Sequence, residues 1–156
     1  MLKRGEMVMP KGLVVFATKT NQTQKIARLI AEGMRFEGFD VDVFNVTEID
    51  RGSISFIDYN AIVLGSATYH GEMLQSMKTF LFLADNANLE GKAGGAFGAF
   101  GWSGEAAPRI FDTMKYIFKM NMVREPLRLK FADLGEGLKM AQDYGREIAR
   151  KVLEST

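Results

Sequence analysis

Five short strand-like runs, three of them unbroken and apolar, are interspersed with four longer stripes of helical period, and that pattern leaves few folds open. Leu13-Val14-Val15-Phe16-Ala17, Ala61-Ile62-Val63-Leu64 and the glycine-rich run Ala93 to Phe100 read as strands covered on both faces. Asp40 to Val46 alternates polar with apolar residues, as an edge strand with one wetter face does. Leu127 to Phe131 alternates as the last strand.

Between the runs lie helical faces. Ile26, Ala27, Ile30 and Met34 share one side of a helix predicted from Thr23 to about Phe36, with Gly38 placed to end it. Met73, Leu74, Met77, Phe80, Leu81 and Ala84 predict a second, and Ala106, Ile110, Met114 and Ile117 a third that starts at Ser103 or Glu105. Leu138, Ala141, Ile148 and Val152 predict the last. Strand–helix repetition implies an α/β domain, its strands parallel through right-handed crossovers and its helices on both faces. Ligands of such sheets sit beyond the carboxyl ends of the strands.

Three loops at those ends are unusual. Thr18-Lys19-Thr20-Asn21-Gln22-Thr23 brings hydroxyls, amides and the free N–H groups of a helix start together, which suits a phosphate. A capped helix start, with Thr20 or Thr23 as N-cap, accounts for the same residues without a ligand. Gly65-Ser66-Ala67-Thr68-Tyr69-His70-Gly71-Glu72 carries one aromatic residue and the single histidine, and Gly98 to Glu105 carries the single tryptophan, Trp102. Two glycine-flanked aromatic loops on neighbouring strands can hold a flat amphipathic ring, with Tyr69 and Trp102 as faces and glycines letting backbone approach. We read a flavin site. Glu72 and Glu105 read as acidic first-turn residues of helices.

Composition narrows the chemistry. The chain has 156 residues and no cysteine, which removes disulfides, cysteine-ligated zinc, iron–sulfur clusters and thioether-linked haem. One histidine removes a multi-histidine metal centre, so no metal site and no catalytic residue is assigned. The net charge of +1, without blocks of like charge, points to no nucleic acid and no polybasic membrane patch. No apolar run is long enough to span a bilayer. Residues 1–10 have no apolar core, so they read as a flexible N-terminal extension and not a secretory signal; residues 11–156 read as one domain, cytoplasmic by default.

The first loop resembles the flavodoxin phosphate signature, [S/T]-x-T-G-[N/S]-T, through Thr18, Thr20 and Thr23, with Asn21 in the glycine position and Gln22 after it. The other two resemble the flavodoxin domains of the flavo-diiron (A-type) flavoproteins, whose patterns run roughly G-S-P-T-Y-N-G-E-M and G-S-Y-G-W-S-G-E. Here Ala67 replaces the proline, His70 the asparagine and Ala99 a serine. The resemblance covers the chain from about Lys11. It implies a flavodoxin-like fold, a five-stranded parallel sheet in the order 2-1-3-4-5. It also implies FMN, with Thr18, Lys19, Thr20, Asn21, Gln22 and Thr23 at the phosphate. Ser66, Ala67, Thr68, Tyr69, His70 and Gly71 would then border the isoalloxazine on one side, and Ala99, Phe100, Gly101, Trp102, Ser103 and Gly104 on the other. The diiron half of those fused proteins is not in this sequence, so oxygen or nitric oxide reduction is not carried over.

The leading reading is an electron carrier between redox proteins met in transient complexes, a homodimer being open. The alternative is a flavin-dependent reductase or oxidase acting on a small substrate such as a quinone or porphyrinogen, with His70 or Tyr69 as proton donor. A scaffold that only binds partners is a further alternative. A phosphorelay receiver needs acidic strand ends, and Phe16-Ala17-Thr18 and Leu64-Gly65-Ser66 supply none.

Overall fold

The computed structural model describes residues 9–18, 21–49, 54–100, 104–130 and 135–155. In chain order its elements are β1 (Lys11–Ala17), α1 (Asn21–Phe36), β2 (Asp40–Asn45), β3 (Ala61–Ser66), β4 (Thr68–Tyr69), β5 (Glu72–Met73) and α2 (Gln75–Asp85). Then follow β6 (Ala93–Ala99), α3 (Ala106–Asp112) with a π-helical turn at Thr113–Ile117, β7 (Asn121–Met122), β8 (Leu127–Leu129) and α4 (Gly135–Glu154). The parallel sheet reads β2-β1-β3-β6-β8, the expected order, with β7 sharing the fifth position. Of the expected N-terminal extension, residues 1–8 lie outside the described residues, whereas the Pro10 carbonyl accepts the Asp40 N–H at 2.9 Å.

Central strands β1, β3 and β6 are buried almost throughout, as their unbroken apolar runs require. Side-chain alternation assigns the two helical layers. A Cβ on Gly95 would touch Tyr144 and Ile148 of α4, whereas one on Gly98, facing the other way, would meet Ala107 of α3. The glycines of β6 thus admit helices close on both faces. On the α4 side the approach goes further. A Cβ on Gly33 would lie 1.9 Å from the Gln142 carbonyl oxygen, and one on Gly145 would lie 2.0 Å from that of Ile30. Helices α1 and α4 cross in backbone contact there.

Several expectations need correction. The last strand ends at Leu129, short of the expected Phe131, which lies outside the described residues, and the short β7 ahead of it is interrupted from β8 at residues 123–126, where Pro126 has no N–H for a ladder. Tyr144 fills the interruption. Its buried hydroxyl accepts the Ala96 N–H at 3.1 Å and faces the carbonyls of Ala96 (3.0 Å) and Glu125 (2.8 Å), and burial raises its pKa. The second helix starts at Gln75 instead of Met73, because Met73 pairs with Thr68 in a hairpin. Glu72 is in that hairpin as well, and Glu105 stands at the N-cap of α3, so neither lies in a helix's first turn. Leu138 is 38% exposed and does not line the core face of α4, and Ile117, expected on the inner face of the third helix, is 63% exposed at the end of the π-helical turn. Among the described residues, no helix is long and apolar enough to cross a membrane.

Candidate functional site

The three singled-out loops leave the carboxyl ends of β1, β3 and β6, which are adjacent in the sheet. Sheet order reverses between β1 and β3, so the first two loops flank the topological switch point where open α/β sheets place ligands. The Ala67 N–H donates to the Ala17 carbonyl at 3.1 Å, extending the β1–β3 pairing into the start of both loops.

In the first loop, Thr18 follows β1 and is half-buried, while Asn21 and Gln22 open α1. Lys19 and Thr20 lie outside the described residues. Thr23 is the third residue of α1, which removes it as N-cap, and its side chain is fully buried. Among the described residues, its Oγ1 has no hydrogen-bond partner. A buried hydroxyl without a partner costs on the order of 1–3 kcal/mol. At a helix start, where backbone N–H groups are unsatisfied and the dipole is positive, an anionic acceptor removes that cost. The residues present fit a phosphate.

The second loop is a hairpin. Thr68 pairs with Met73 and Tyr69 with Glu72 in antiparallel register, and the two turn residues, His70 (φ 50°) and Gly71 (φ 74°), both have positive φ. Both-positive φ defines the type I′ turn, which matches strand twist and favours Asn-Gly. Histidine is among the few non-glycine residues that tolerate this region. The turn therefore holds His70 outward, its ring edge-on to Tyr69 at 4.2 Å. Tyr69 is 51% exposed, leaving one aromatic surface open beside the sheet end.

Internal bonds hold the hairpin in place. Buried Ser66 accepts the Leu74 N–H at 3.0 Å and donates to the Ala67 carbonyl at 2.9 Å, so its hydroxyl shapes the loop from beneath. Thr68 Oγ1 accepts the Ala106 N–H at 3.0 Å, capping the first turn of α3 and joining the second loop to the third. The Glu72 carboxylate spans α2 and α3, bonded to Lys78 and lying 3.5 Å from Arg109. The Lys78 hydrogen bond and charge, with Arg109 adding, hold this carboxyl below the usual carboxylate range.

In the third loop, Ala99 ends β6 and Phe100 is half-buried, its N–H bonded to the Leu129 carbonyl at 3.2 Å. Gly101, Trp102 and Ser103 lie outside the described residues. Gly104 is buried, and a Cβ there would lie 3.0 Å from Arg128 Cδ and 3.4 Å from the Phe100 ring. The described parts thus bring Thr18, Thr23, Thr68, Tyr69, His70, Phe100 and Gly104 to one end of the sheet. Sequence reasoning missed the bridging role of Glu72 and the cations Arg109, Arg128 and Lys130. A period-two reading of Leu127 to Lys130 beside Gly98 to Phe100 is the signal that could have found the last two.

Comparison with known proteins agrees with this geometry. The flavodoxin family model matches residues 14–145. The type A flavoprotein of Rhodobacter capsulatus is 30% identical over 88% of this chain and 32% of its own length. A flavodoxin from the domain Archaea superposes with a TM-score of 0.82 at 29% identity, covering 92% of this chain and 99% of that one. The flavodiiron protein of Giardia intestinalis superposes at 0.86 with 26% identity, covering 92% of this chain and 36% of that one. The chain spans about a third of the length of the curated relatives it matches. It belongs to the flavodoxin family.

Proposed function

We propose that this domain binds FMN and carries electrons between redox proteins. The observation that carries the reading is the buried Thr23 hydroxyl without a partner, in the first turn of α1 at the switch point. FMN, when bound, supplies one- and two-electron chemistry; the protein's part is binding, orientation and electrostatics. Thr18, Lys19, Thr20, Asn21, Gln22 and Thr23 hold the phosphate. The hairpin from Ser66 to Gly71 and the loop from Ala99 to Gly104 flank the ring, Tyr69 and Trp102 giving it aromatic faces. Through the bonds described above, Ser66 and Thr68 act on the loop frame, and no side chain has to act as acid or base. The partners are proteins met transiently, in the cytoplasm, through contacts smaller than about 1,200 Å².

Reconstitution tests the proposal. Purified protein incubated with FMN and desalted should be yellow, with quenched flavin fluorescence and stoichiometric reduction. Oxidation of the reduced protein by a redox protein should be much faster than by a soluble quinone. Saturable, sustained turnover of a quinone or porphyrinogen would replace the carrier with an enzyme, and failure to retain FMN would remove both.

A further inference from the structure

The inference rests on the redox reading of this site and concerns what docks on it. A net charge of +1 gives no steering by the molecule as a whole. Its charges are unevenly placed, however. Strand β8 registers Arg128 against Gly98 of β6, and residues in register on neighbouring strands face the same way. Gly98 faces α3, so Arg128 does too, and Lys130 follows two residues on. The contacts agree: Arg128 Cδ borders Gly104, and Lys130 Nζ lies 5.9 Å from the centre of the Phe100 ring. The Arg128 stem borders the third loop, the Lys130 ammonium lies over Phe100, and both residues are exposed.

Among the described residues, neither Arg128 nor Lys130 has a carboxylate within ion-pair distance. Glu72 is shared between Lys78 and Arg109, and Arg109 is itself 56% exposed. One carboxylate oxygen of Glu105 is buried. Among the described residues, Arg109, Arg128 and Lys130 thus place three cations along one side of the site on a nearly neutral molecule.

We propose that Arg128, Lys130 and Arg109 form the docking surface for an acidic protein partner. Charges this close to the ring loops set encounter rate and orientation more than affinity, and their reach is about a Debye length.

Two measurements test it. In the first, a peptide of six glutamates is titrated into isotope-labelled protein at low ionic strength while backbone amide shifts are followed. Shifts should concentrate at residues 98–100, 104–109 and 128–130, vanish in R128E/K130E, and be missing with a hexalysine peptide. Shifts centred elsewhere, or unchanged in the double variant, overturn the proposal; both side chains are exposed, and R128Q/K130Q substitutes should the reversal not fold. This arm needs no cofactor.

In the second, FMN-loaded protein reduced with dithionite is mixed with ferricyanide or hexaammineruthenium(III). Each complex takes up one electron from the reduced protein, and any proton released passes to solvent. R128E/K130E should slow the anionic acceptor on the order of tenfold at low salt and speed the cationic one. An unchanged ratio of the two rates overturns the proposal. Protein that takes up no FMN refutes the redox reading while leaving the peptide arm to decide the surface.

Discussion

A methyl group on Gly33, where α1 crosses α4, would sit 1.9 Å from a backbone oxygen; at Gly71, in the hairpin, it would meet nothing within 4 Å. The first region is sealed by backbone against backbone, with Ile30, Met34, Ile148 and Ala149 buried around it. The second is held by a few replaceable side-chain bonds, from Ser66, Thr68 and Glu72, with Tyr69 and His70 turned outward. The α1–α4 crossing is a fixed base, and the hairpin is the adjustable side. Elements with few buried contacts open at lower free energy than the core, and binding loops are drawn from them.

The largest expected effect breaks the sealed side. Gly145→Ala must separate α1 from α4, and should destabilise by roughly 3 kcal/mol or prevent folding, since overpacking a close-packed contact costs at least about 1–3 kcal/mol. Thermal melting of the variant reads this directly, and a normal melting temperature would mean that the helices are not in backbone contact. Next is Tyr144→Phe, which leaves the Ala96 N–H and a carbonyl without their hydroxyl. A loss of about 1–3 kcal/mol is expected in urea unfolding. A null effect would show that the interrupted fifth strand does not depend on that bridge.

On the adjustable side, effects should be local. Thr68→Val removes the cap on α3 and should cost about 1 kcal/mol or less globally. The same change should markedly accelerate hydrogen exchange at the Ala106 amide, and equal protection in both proteins would uncouple the two ring loops. The smallest effect concerns Glu72. Its folded pKa is depressed, so its contribution is present above the unfolded carboxyl pKa and is lost as pH falls through the folded value. Exposure makes that contribution small. Glu72→Gln should therefore flatten the acid limb of the stability curve below about pH 4, where glutamate ordinarily titrates, while changing little near neutrality; an acid limb identical to the parent's would mean that the Lys78 and Arg109 pairs do not act.

Much of the scaffold was legible because burial on two faces leaves an unbroken apolar run, as at Leu13 to Ala17, and one-sided helices leave a 3.6-residue stripe, as at Ile26 to Met34. The β7–β8 interruption was not, because a tyrosine from α4 completes it across 48 residues of sequence. Two-residue strands carry too few side chains for periodicity, so the hairpin was taken into α2; only the His70-Gly71 pair marks it, through its turn chemistry. Of the site, the loops and their order in space could be read from the strands they follow. Thr23 was legible as a hydroxyl but not as a buried one. Arg128 and Lys130 were invisible in a total charge near zero.

The central claim is that the first loop and α1 hold a phosphate, and Thr23→Val tests it most directly. Valine keeps the shape and removes a buried hydroxyl without a partner, so the variant without cofactor should be as stable as the parent or more so. Titrated with FMN and with riboflavin, the parent should prefer FMN strongly, and the variant should lose about tenfold or more of that preference, as expected for a hydrogen bond to a charged group. A parent that binds the two equally, or a variant that keeps the full preference for FMN, would contradict the account.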